Sequence, residues 1–429
     1  MASLKEFLRY NATEEIEKKR FLILFSVIVC ISAVIFLLSG HDGEAVRENF
    51  FYGDALFNGV LPFQPYNDLN WEYPPLAYLF LLIPRLFASD PYGYQVAFVA
   101  MMTVFILIGL VVIRRLSLKY EKNAALLMGV YVLTMVVHTQ FFFDRFDIIV
   151  GVLAMAAVYF YLEKRYPLAF FLLVIGMFIK LYPGLLFPIF LIPLLVSDKR
   201  NALRSFAVFV ASSVVLIIPF VIMSPDNFLN FMLYHSDRGI QLESVTASFI
   251  LFLESLGLTS TMTSSAFGSF NLEGGLADVI LPVMMPLMIF AILAFCLIYY
   301  VWCRKGNGGT DSVPWASFVV LMIFIVFNKV FSAQYVVWIL MALLPFVVLI
   351  ESKERSDIIL LMYVSAAIMT YFFVDTYTEL CYHEMFPVYV LLLRNVLVIF
   401  LLAAAVRYSG IHRMITDRIR SRRQMDADQ

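Results

Sequence analysis

The sequence contains few charged residues, and this scarcity excludes most classes of soluble protein. Only 15% of its 429 residues are Asp, Glu, Lys or Arg, whereas 62% are hydrophobic. Soluble domains typically contain about 25% charged and about 45–50% apolar residues. An intrinsically disordered chain is excluded for the same reason, and the mean hydropathy of +0.86 indicates a polytopic membrane protein.

Cysteine and the motifs of common soluble enzymes are also sparse. Four scattered cysteines are too few for a disulfide framework or a zinc site. The chain has no glycine-rich phosphate loop, no HExxH or GxSxG motif and no basic stripe for nucleic acid. One His among the carboxylates of 375–385 does not predict a metal site. We therefore expect no cofactor and no nucleic-acid partner, and a dependence on divalent metal stays open.

Apolar runs recur along the chain and predict an all-α membrane protein with about twelve or thirteen transmembrane helices, because a spanning helix needs about 20 apolar residues. The first run, Phe21 to Leu38, follows a basic arm and lacks a small-residue cleavage site. We interpret it as a retained helix rather than a signal peptide. The other runs are 92–113, 123–141, 146–162, 166–180, 182–197, 203–223, 277–303, 315–329, 334–350, 357–374 and 386–406.

Lys and Arg are distributed unequally between the connections. With the N-terminus in the cytoplasm, 24 of the 31 Lys and Arg residues fall in the N-terminal arm, in alternate short loops and in a basic tail over 407–429. This bias predicts one polytopic domain over 1–429 in the plasma membrane, with both termini cytoplasmic and the long connections 39–73 and 224–276 outside. If the short apolar segment 74–88 spanned, it would reverse the bias, so we expect it to be re-entrant or interfacial.

The first outer connection is acidic, and its Phe residues predict amphipathic helices on the membrane surface. Asp42 stands four residues after the first apolar run. A carboxylate at this depth is suited to act as a general base. The spacing alone favours a helix N-cap, so both interpretations are kept.

A very short outer connection holds Asp144, Arg145 and Asp147 between two apolar runs. Ionisable groups at such depth are costly and usually line a cavity. The alternative is a self-satisfied Asp–Arg pair at a helix end. The sequence does not separate these two interpretations.

Several single cations stand in apolar segments near the predicted outer ends of helices. Together they suggest an anionic ligand, and a lipid phosphate is the natural candidate because its charge lies at this depth. Snorkelling to the headgroups is the alternative for some of them. The cations are Arg85, Lys180, Lys329 and Arg394.

The second long connection contains a polar cluster within ten positions. Arg238 could hold a phosphate in a fork, and Glu243 and Ser244 could bond to sugar hydroxyls. A solvated loop with a helix cap at Ser244 is the alternative. The cluster consists of His235, Asp237, Arg238, Gln241, Glu243 and Ser244.

Five short motifs occur in order along one predicted membrane face: NGVLPFQPYND, EYPPL, KLYP, RGIQLES and NKVFSAQYVVW. Through them the chain, from about residue 21 to about residue 350, resembles the GT-C superfamily of integral-membrane glycosyltransferases. More narrowly, it is similar to the branch that resembles polyprenol-phosphate-mannose-dependent mannosyltransferases. The resemblance implies transfer of a sugar, mannose, from a polyprenyl-phosphate carrier to a lipid-linked or glycan acceptor at the outer face.

The resemblance also implies roles for individual residues. Asp42 is expected to be the general base of an inverting single displacement, with Asp54 as the alternative aligned residue. Asp144 or Asp147 is expected to position the acceptor or to share its proton. The cations expected near the donor phosphate are Lys180, Arg238 and Lys329, and the residues expected at the substrates are Glu72, Tyr73, His235, Gln241, Glu243 and Gln334.

A multi-pass transporter or lipid flippase is the alternative function, because a dozen helices with intramembrane charges also fit that class. Many such transporters contain repeated halves and bind near the bilayer midplane. This sequence shows no halves, and its charges lie toward one face, which favours the enzyme. Membrane lipids are the other expected partners, and the oligomeric state is not predicted.

Overall fold

In the computed structural model the chain is predominantly helical. The structure describes residues 2–40, 44–58, 73–229, 232, 238–266 and 268–408. Each of the twelve predicted apolar runs contains a helix, as expected where the backbone must satisfy its own hydrogen bonds. In chain order the helices are α1 (Ala2–Leu38), α2 (Glu44–Asn58), α3 (Ala77–Arg85), α4 (Pro91–Lys119), α5 (Ala124–Val137), α6 (Thr139–Phe143), α7 (Asp147–Leu162), α8 (Tyr166–Ile179), α9 (Leu186–Ser197), α10 (Lys199–Met223), α11 (Val245–Ser255), α12 (Gly275–Arg304), α13 (Ser312–Phe327), α14 (Tyr335–Val347), α15 (Lys353–Asp375), α16 (Tyr377–Cys381) and α17 (Met385–Tyr408).

Six of the described helices are long and apolar enough to cross a membrane: α1 over Lys19–Leu38, and α4, α10, α12, α15 and α17. The helices of the other six apolar runs have 12 to 16 residues. At about 1.5 Å per residue they extend about 18–24 Å, less than the hydrocarbon core of about 30 Å. The helical, multi-pass membrane fold is thus confirmed, whereas the total of twelve or thirteen spans stays a prediction.

Burial separates central helices from peripheral ones. Helices α13 and α14 are buried over almost their whole lengths, which is typical of helices that are apolar on all sides. Helix α10 buries only Ala202 and Ser205, and its Val215 and Ile222 are largely exposed. Such an apolar outer surface is stable against lipid rather than against water.

The segment 74–88 does not form a membrane span. Its helix, α3, has nine residues and extends about 14 Å, so it cannot cross the bilayer. The Leu76 amide donates to the Phe178 carbonyl at 2.7 Å. Leu76, Tyr78 and Leu81 are buried, whereas Leu86 and Phe87 are exposed. The contact with the end of α8 places this segment at the end of the bundle that the sequence predicts to be outside, and its re-entrant or interfacial position stays a prediction.

The amphipathic helix predicted in the first outer connection is α2, and it packs against α3. Arg85 Nε donates to Asp54 Oδ1 at 2.8 Å across this contact. The backbones approach closely at Gly53, where a Cβ atom would lie 2.7 Å from the Leu81 carbonyl oxygen. Phe51 remains exposed, which supplies an apolar side for the membrane surface.

Within the described residues, a small antiparallel sheet is the one departure from an all-helical fold. Its strands are β1 (Ile240–Gln241), β2 (Met262–Ala266) and β3 (Ser269–Glu273), in the order β1-β3-β2. Ile240 pairs with Leu272, and Met262 pairs with Glu273. Strands this short lack an extended alternating pattern, which is why the sequence did not predict them.

Side-chain hydrogen bonds bring the predicted cytoplasmic connections together at one end of the bundle. The connections predicted to be outside lie at the other end. The bonds are Lys119 Nζ to Glu163 Oε1 (2.7 Å), Tyr120 to Asp311 (2.9 Å), Lys122 Nζ to the Ile350 carbonyl (2.7 Å) and Tyr408 to the Leu349 carbonyl (3.0 Å).

Candidate functional site

An ion pair between the partly buried Lys180 and the buried Asp147 joins two predicted site residues at the predicted outer end. Asp147 is the first residue of α7, and Lys180 caps the end of α8. These antiparallel neighbours bring the two side chains together, with Lys180 Nζ 2.7 Å from Asp147 Oδ1. Both helix dipoles favour the arrangement, since a carboxylate stands at an N-terminus and an ammonium at a C-terminus.

Aromatic rings surround the Lys180 ammonium. Its Nζ lies 4.9 Å from the ring centre of Phe146, 5.6 Å from that of Trp338 and 5.8 Å from that of Tyr73. Cation–π attraction at such distances contributes about 0.5–2 kcal/mol, and more when the site is desolvated. The rings therefore stabilise a positive charge here and limit its exposure to water.

Trp338 fixes the carboxylate of this pair. Its Nε1 donates to Asp147 Oδ1 at 2.7 Å. The Trp338 ring lies between Tyr182 and Tyr335, with centroid distances of 4.2 Å and 3.7 Å. Stacking on both faces restricts the indole, so its N–H is held in place to bond to the carboxylate.

Two buried oxygens near the ion pair have no hydrogen-bond partner among the described residues: Asp147 Oδ2 and the Tyr182 hydroxyl. Their electrostatic interaction indicates that they are close. Buried polar groups are normally hydrogen-bonded. Asp147 Oδ2 can accept a hydrogen bond and the Tyr182 hydroxyl can donate one.

The segment 238–244, here called the strap, bonds to the connection between the end of α13 and the start of α14. The Gln241 amide donates to the Lys329 carbonyl at 2.9 Å, and Lys329 Nζ donates to the Arg238 carbonyl. The Gln241 side chain also exchanges hydrogen bonds with Ser332 at 2.9 and 3.2 Å. Lys329 thus fixes the backbone that carries Arg238.

Glu243 is the buried end of the strap. Its Oε1 accepts from the Tyr377 hydroxyl at 2.9 Å and from Gln241 Nε2 at 3.4 Å. Its carbonyl accepts from Arg394 Nη2 at 2.9 Å. Burial raises the pKa of Glu243 above its ordinary value, and the charge of Arg394 and the Tyr377 bond oppose that shift.

The ion pair and the strap meet at Tyr335. This residue interacts electrostatically with Arg238, Asp147 and Glu243. Arg145, which precedes Asp147 by two residues, interacts with Glu243. One site at the predicted outer end therefore includes charged residues from five separated parts of the chain, around positions 145–147, 180, 238–243, 329 and 394.

The structure places some of the predicted site residues together and others elsewhere. Tyr73, Lys180, Arg238, Gln241, Glu243, Lys329 and Asp147 lie in this site, Asp144 is buried at the end of α6, and Gln334 caps the start of α14. Asp42, Glu72 and His235 lie outside the described residues. Ser244 is the N-cap of α11, as the alternative interpretation predicted, and accepts from the Ala247 amide at 3.1 Å.

The cations that stand alone in the sequence have partners in the structure. Arg85 bonds to Asp54 and to the Ala88 carbonyl. Arg394 bonds to the strap and lies 3.9 Å from the Phe331 ring centre. Snorkelling is therefore a poor description of these two residues, whose charge is directed into the protein.

Sequence reasoning missed Trp338 and Tyr377, which bond to Asp147 and Glu243, and it missed Tyr182, which stacks on Trp338. Trp338 and Tyr182 belong to the motifs NKVFSAQYVVW and KLYP. Because both motifs also contain a lysine, the two aromatic residues could have been predicted as site residues from the sequence. Aromatic residues in membrane helices are more often interpreted as packing residues. Tyr377 carries no local signal, because its partner Glu243 lies 134 positions away.

Comparison with known proteins decides the family. The sequence profile of glycosyltransferase family 87 matches residues 71–327, more than half of the chain. The protein belongs to glycosyltransferase family 87. This membership confirms the predicted glycosyltransferase activity in its general form and favours it over the transporter alternative.

Among solved structures, the family 87 chain is similar to ArnT from Cupriavidus metallidurans, whose crystal structure is bound to undecaprenyl phosphate. The identity is 12%, the alignment covers 91% of this chain and 77% of ArnT, and the TM-score is 0.48. The family 87 chain matches no curated protein sequence.

The family 87 match covers Tyr73, Asp147, Lys180 and the strap, and it ends before Lys329 and Trp338. Both later residues nevertheless bond to residues inside the matched region. The fold thus completes the site with the C-terminal third of the chain.

Proposed function

We propose that this family 87 chain transfers mannose from a polyprenyl-phosphate carrier to a lipid-linked or glycan acceptor on the outer side of the membrane. The observation that carries this proposal is the clustering of Lys180, Arg238 and Lys329 at the end opposite the basic loops. Family membership supplies the reaction class. A carrier phosphate lies at the depth of this cluster when its isoprenoid tail stays in the bilayer.

The reaction is a single displacement at the anomeric carbon. The acceptor oxygen forms a bond to that carbon while the bond from carbon to carrier phosphate oxygen breaks, so the configuration inverts. A carboxylate base takes the acceptor proton, and polyprenyl phosphate leaves with an additional negative charge. Nearby cations stabilise that charge as it develops.

Asp42 is the proposed base. Asp54, the alternative, bonds to Arg85 and accepts from Asn58 Nδ2 at 2.7 Å. These bonds suit a structural role in joining α2 to α3. Asp147 neutralises Lys180 and is therefore proposed as a positioning residue for the donor-side cation.

The proposal is tested by transfer of labelled mannose from polyprenyl-phosphate-mannose in membranes that contain the protein. Asp42→Asn is expected to lower turnover by about 10²–10⁴-fold, and the matched Asp54→Asn should retain most of it. Loss of turnover in Asp54→Asn alone would reassign the base. Absence of transfer by the unmodified protein would refute the donor proposal.

The proposed binding of the donor phosphate by Arg238 is tested separately, by measuring the KM for the donor in arginine variants. Arg238→Gln is expected to raise the KM for the donor about tenfold, because a charge-assisted bond to phosphate is lost. Arg304→Gln, at the predicted cytoplasmic end of α12, is the matched control. An equal effect of both variants would argue against a local phosphate site.

We also propose that the protein resides in the plasma membrane, with both termini cytoplasmic and the site outside. The test is labelling of single cysteines on intact cells by a membrane-impermeant thiol reagent, after the four native cysteines are replaced by serine. Glu379→Cys, before α17, should react, and Glu121→Cys, between α4 and α5, should react only after permeabilisation. The opposite pattern would reverse the orientation.

A further inference from the structure

A cavity separate from the ion pair lies at the same end of the bundle. It has a volume of about 350 Å³ and is formed where α1, α5, α6 and α15 end or begin at this face. This volume equals the share of roughly a dozen liquid waters, which is enough for one sugar ring. Its lining residues are Phe36, Ser39, Val137, Thr139, Gln140, Tyr371, Val374 and Asp375.

The lining chemistry differs from that of the site around Lys180. The described lining residues include no Lys or Arg. Gln140 can donate and accept hydrogen bonds, Asp375 can accept them, and Thr139 can do both. Tyr371 and Phe36 add aromatic faces that suit the C–H face of a sugar ring. Such a lining fits a neutral, hydroxyl-rich ligand and disfavours a phosphate.

The cavity walls are firmly held. His138 Nε2 donates to the Ala367 carbonyl at 2.9 Å, which joins the end of α5 to α15. The Phe36 and Phe143 rings, with centroids 5.6 Å apart, join α1 to α6. The opening therefore does not depend on one loosely packed side chain.

The cavity adjoins Asp144. Gln140 lines the cavity, and the Asp144 amide donates to the Gln140 carbonyl at 3.0 Å, so Asp144 stands one helical turn away. In the sequence, the proposed base Asp42 follows the lining residue Ser39 by three positions.

We propose that this cavity binds the neutral sugar end of the acceptor, while the donor phosphate binds at Lys180 and Arg238. The inference rests on the proposed function for its assignment to an acceptor. Both a lipid-linked and a water-soluble glycan share the hydroxyl-rich chemistry that the cavity fits.

The binding test uses tritiated octyl α-mannoside and the full chain in nanodiscs, without donor. Gln140→Ala and Asp375→Asn are each expected to raise the Kd about tenfold. Glu379→Gln, four residues beyond Asp375 and outside the cavity, is the matched control. Unchanged binding in both cavity variants, or effective competition by mannose 1-phosphate at the concentration of the neutral glycoside, would overturn the proposal.

Transfer kinetics distinguish this inference from the proposed function. With polyprenyl-phosphate-mannose as donor, the cavity variants should raise the KM for octyl α-mannoside and leave the KM for donor unchanged. Normal acceptor KM values in both variants would refute the cavity alone. Absence of transfer by the unmodified protein would refute the donor proposal, and the binding test would still decide the cavity. Methyl α-mannoside in place of the octyl compound separates a soluble from a lipid-linked acceptor.

A chemical modification made after folding tests the cavity without the risk that a substitution lowers binding by preventing folding. Ser39→Cys is introduced into the chain whose four native cysteines are replaced by serine, and the purified protein is compared before and after treatment with a small methanethiosulfonate. Filling the cavity should abolish octyl α-mannoside binding. The same cysteine-free chain with Ser39 retained should bind normally after the same treatment. Full binding by the modified variant would contradict the proposal.

Discussion

The buried Asp147 and the partly buried Lys180 form an ion pair whose two charged atoms lie 2.7 Å apart. Removing one member of a buried pair leaves an uncompensated charge, at a cost of about 3–5 kcal/mol. Asp147→Asn is therefore expected to lower the free energy of unfolding by about that amount, measured by thermal or denaturant unfolding in detergent. The double variant Asp147→Asn/Lys180→Met should be more stable than Asp147→Asn alone. Additive losses would show that the two charges do not interact.

The indole N–H of Trp338 is expected to matter separately from its ring. Trp338→Phe keeps a ring to stack on Tyr182 and Tyr335 but removes the bond to Asp147. The expected loss is about 1–2 kcal/mol of unfolding free energy, with a lower affinity for donor because Lys180 is less well positioned. In an Asp147→Asn background the same substitution should cost less. An equal cost in both backgrounds would assign the effect to packing.

Glu243 is expected to make stability depend on pH. Burial raises its pKa in the folded protein above the ordinary value of 4.5, so the folded state binds the proton more tightly than the unfolded state. Stability should consequently fall as pH rises from about 4.5 through the raised pKa. Glu243→Gln, which keeps an oxygen for the Tyr377 hydroxyl, should remove this slope in unfolding measurements. The exposed Glu379→Gln should keep it, and an unchanged slope in Glu243→Gln would exclude Glu243 as the source.

The contact between α2 and α3 depends on Gly53. Because a Cβ atom there would lie 2.7 Å from the Leu81 carbonyl, Gly53→Ala is expected to push the helices apart at a cost of about 1–3 kcal/mol. Limited proteolysis should then cut faster near α2. Gly129→Ala, whose Cβ would meet only the Phe25 ring at 3.7 Å, should be neutral or nearly so. Equal protease sensitivity of the two variants would show that α2 is not held at Gly53.

The sequence by itself was enough to predict that the protein lies in a membrane, where its main helices are, and at which end of the bundle the polar residues cluster. Apolar periodicity is a local property, and so is the distribution of Lys and Arg between loops, which is why both could be read directly. The motif with Asp144 and Asp147 and the KLYP motif with Lys180 could likewise be recognised as unusual, because a charge in an apolar run is costly wherever the chain folds.

Only the tertiary structure decided which charges meet. Lys180 pairs with an aspartate 33 positions earlier, and Arg394 bonds to a glutamate carbonyl 151 positions away. Asp144, Arg145 and Asp147 all stand within four positions of one another, yet the choice of Asp147 as the partner of Lys180 follows from how α7 packs against α8. A sequence shows which side chains need partners, but partner choice depends on helix packing that no local pattern records.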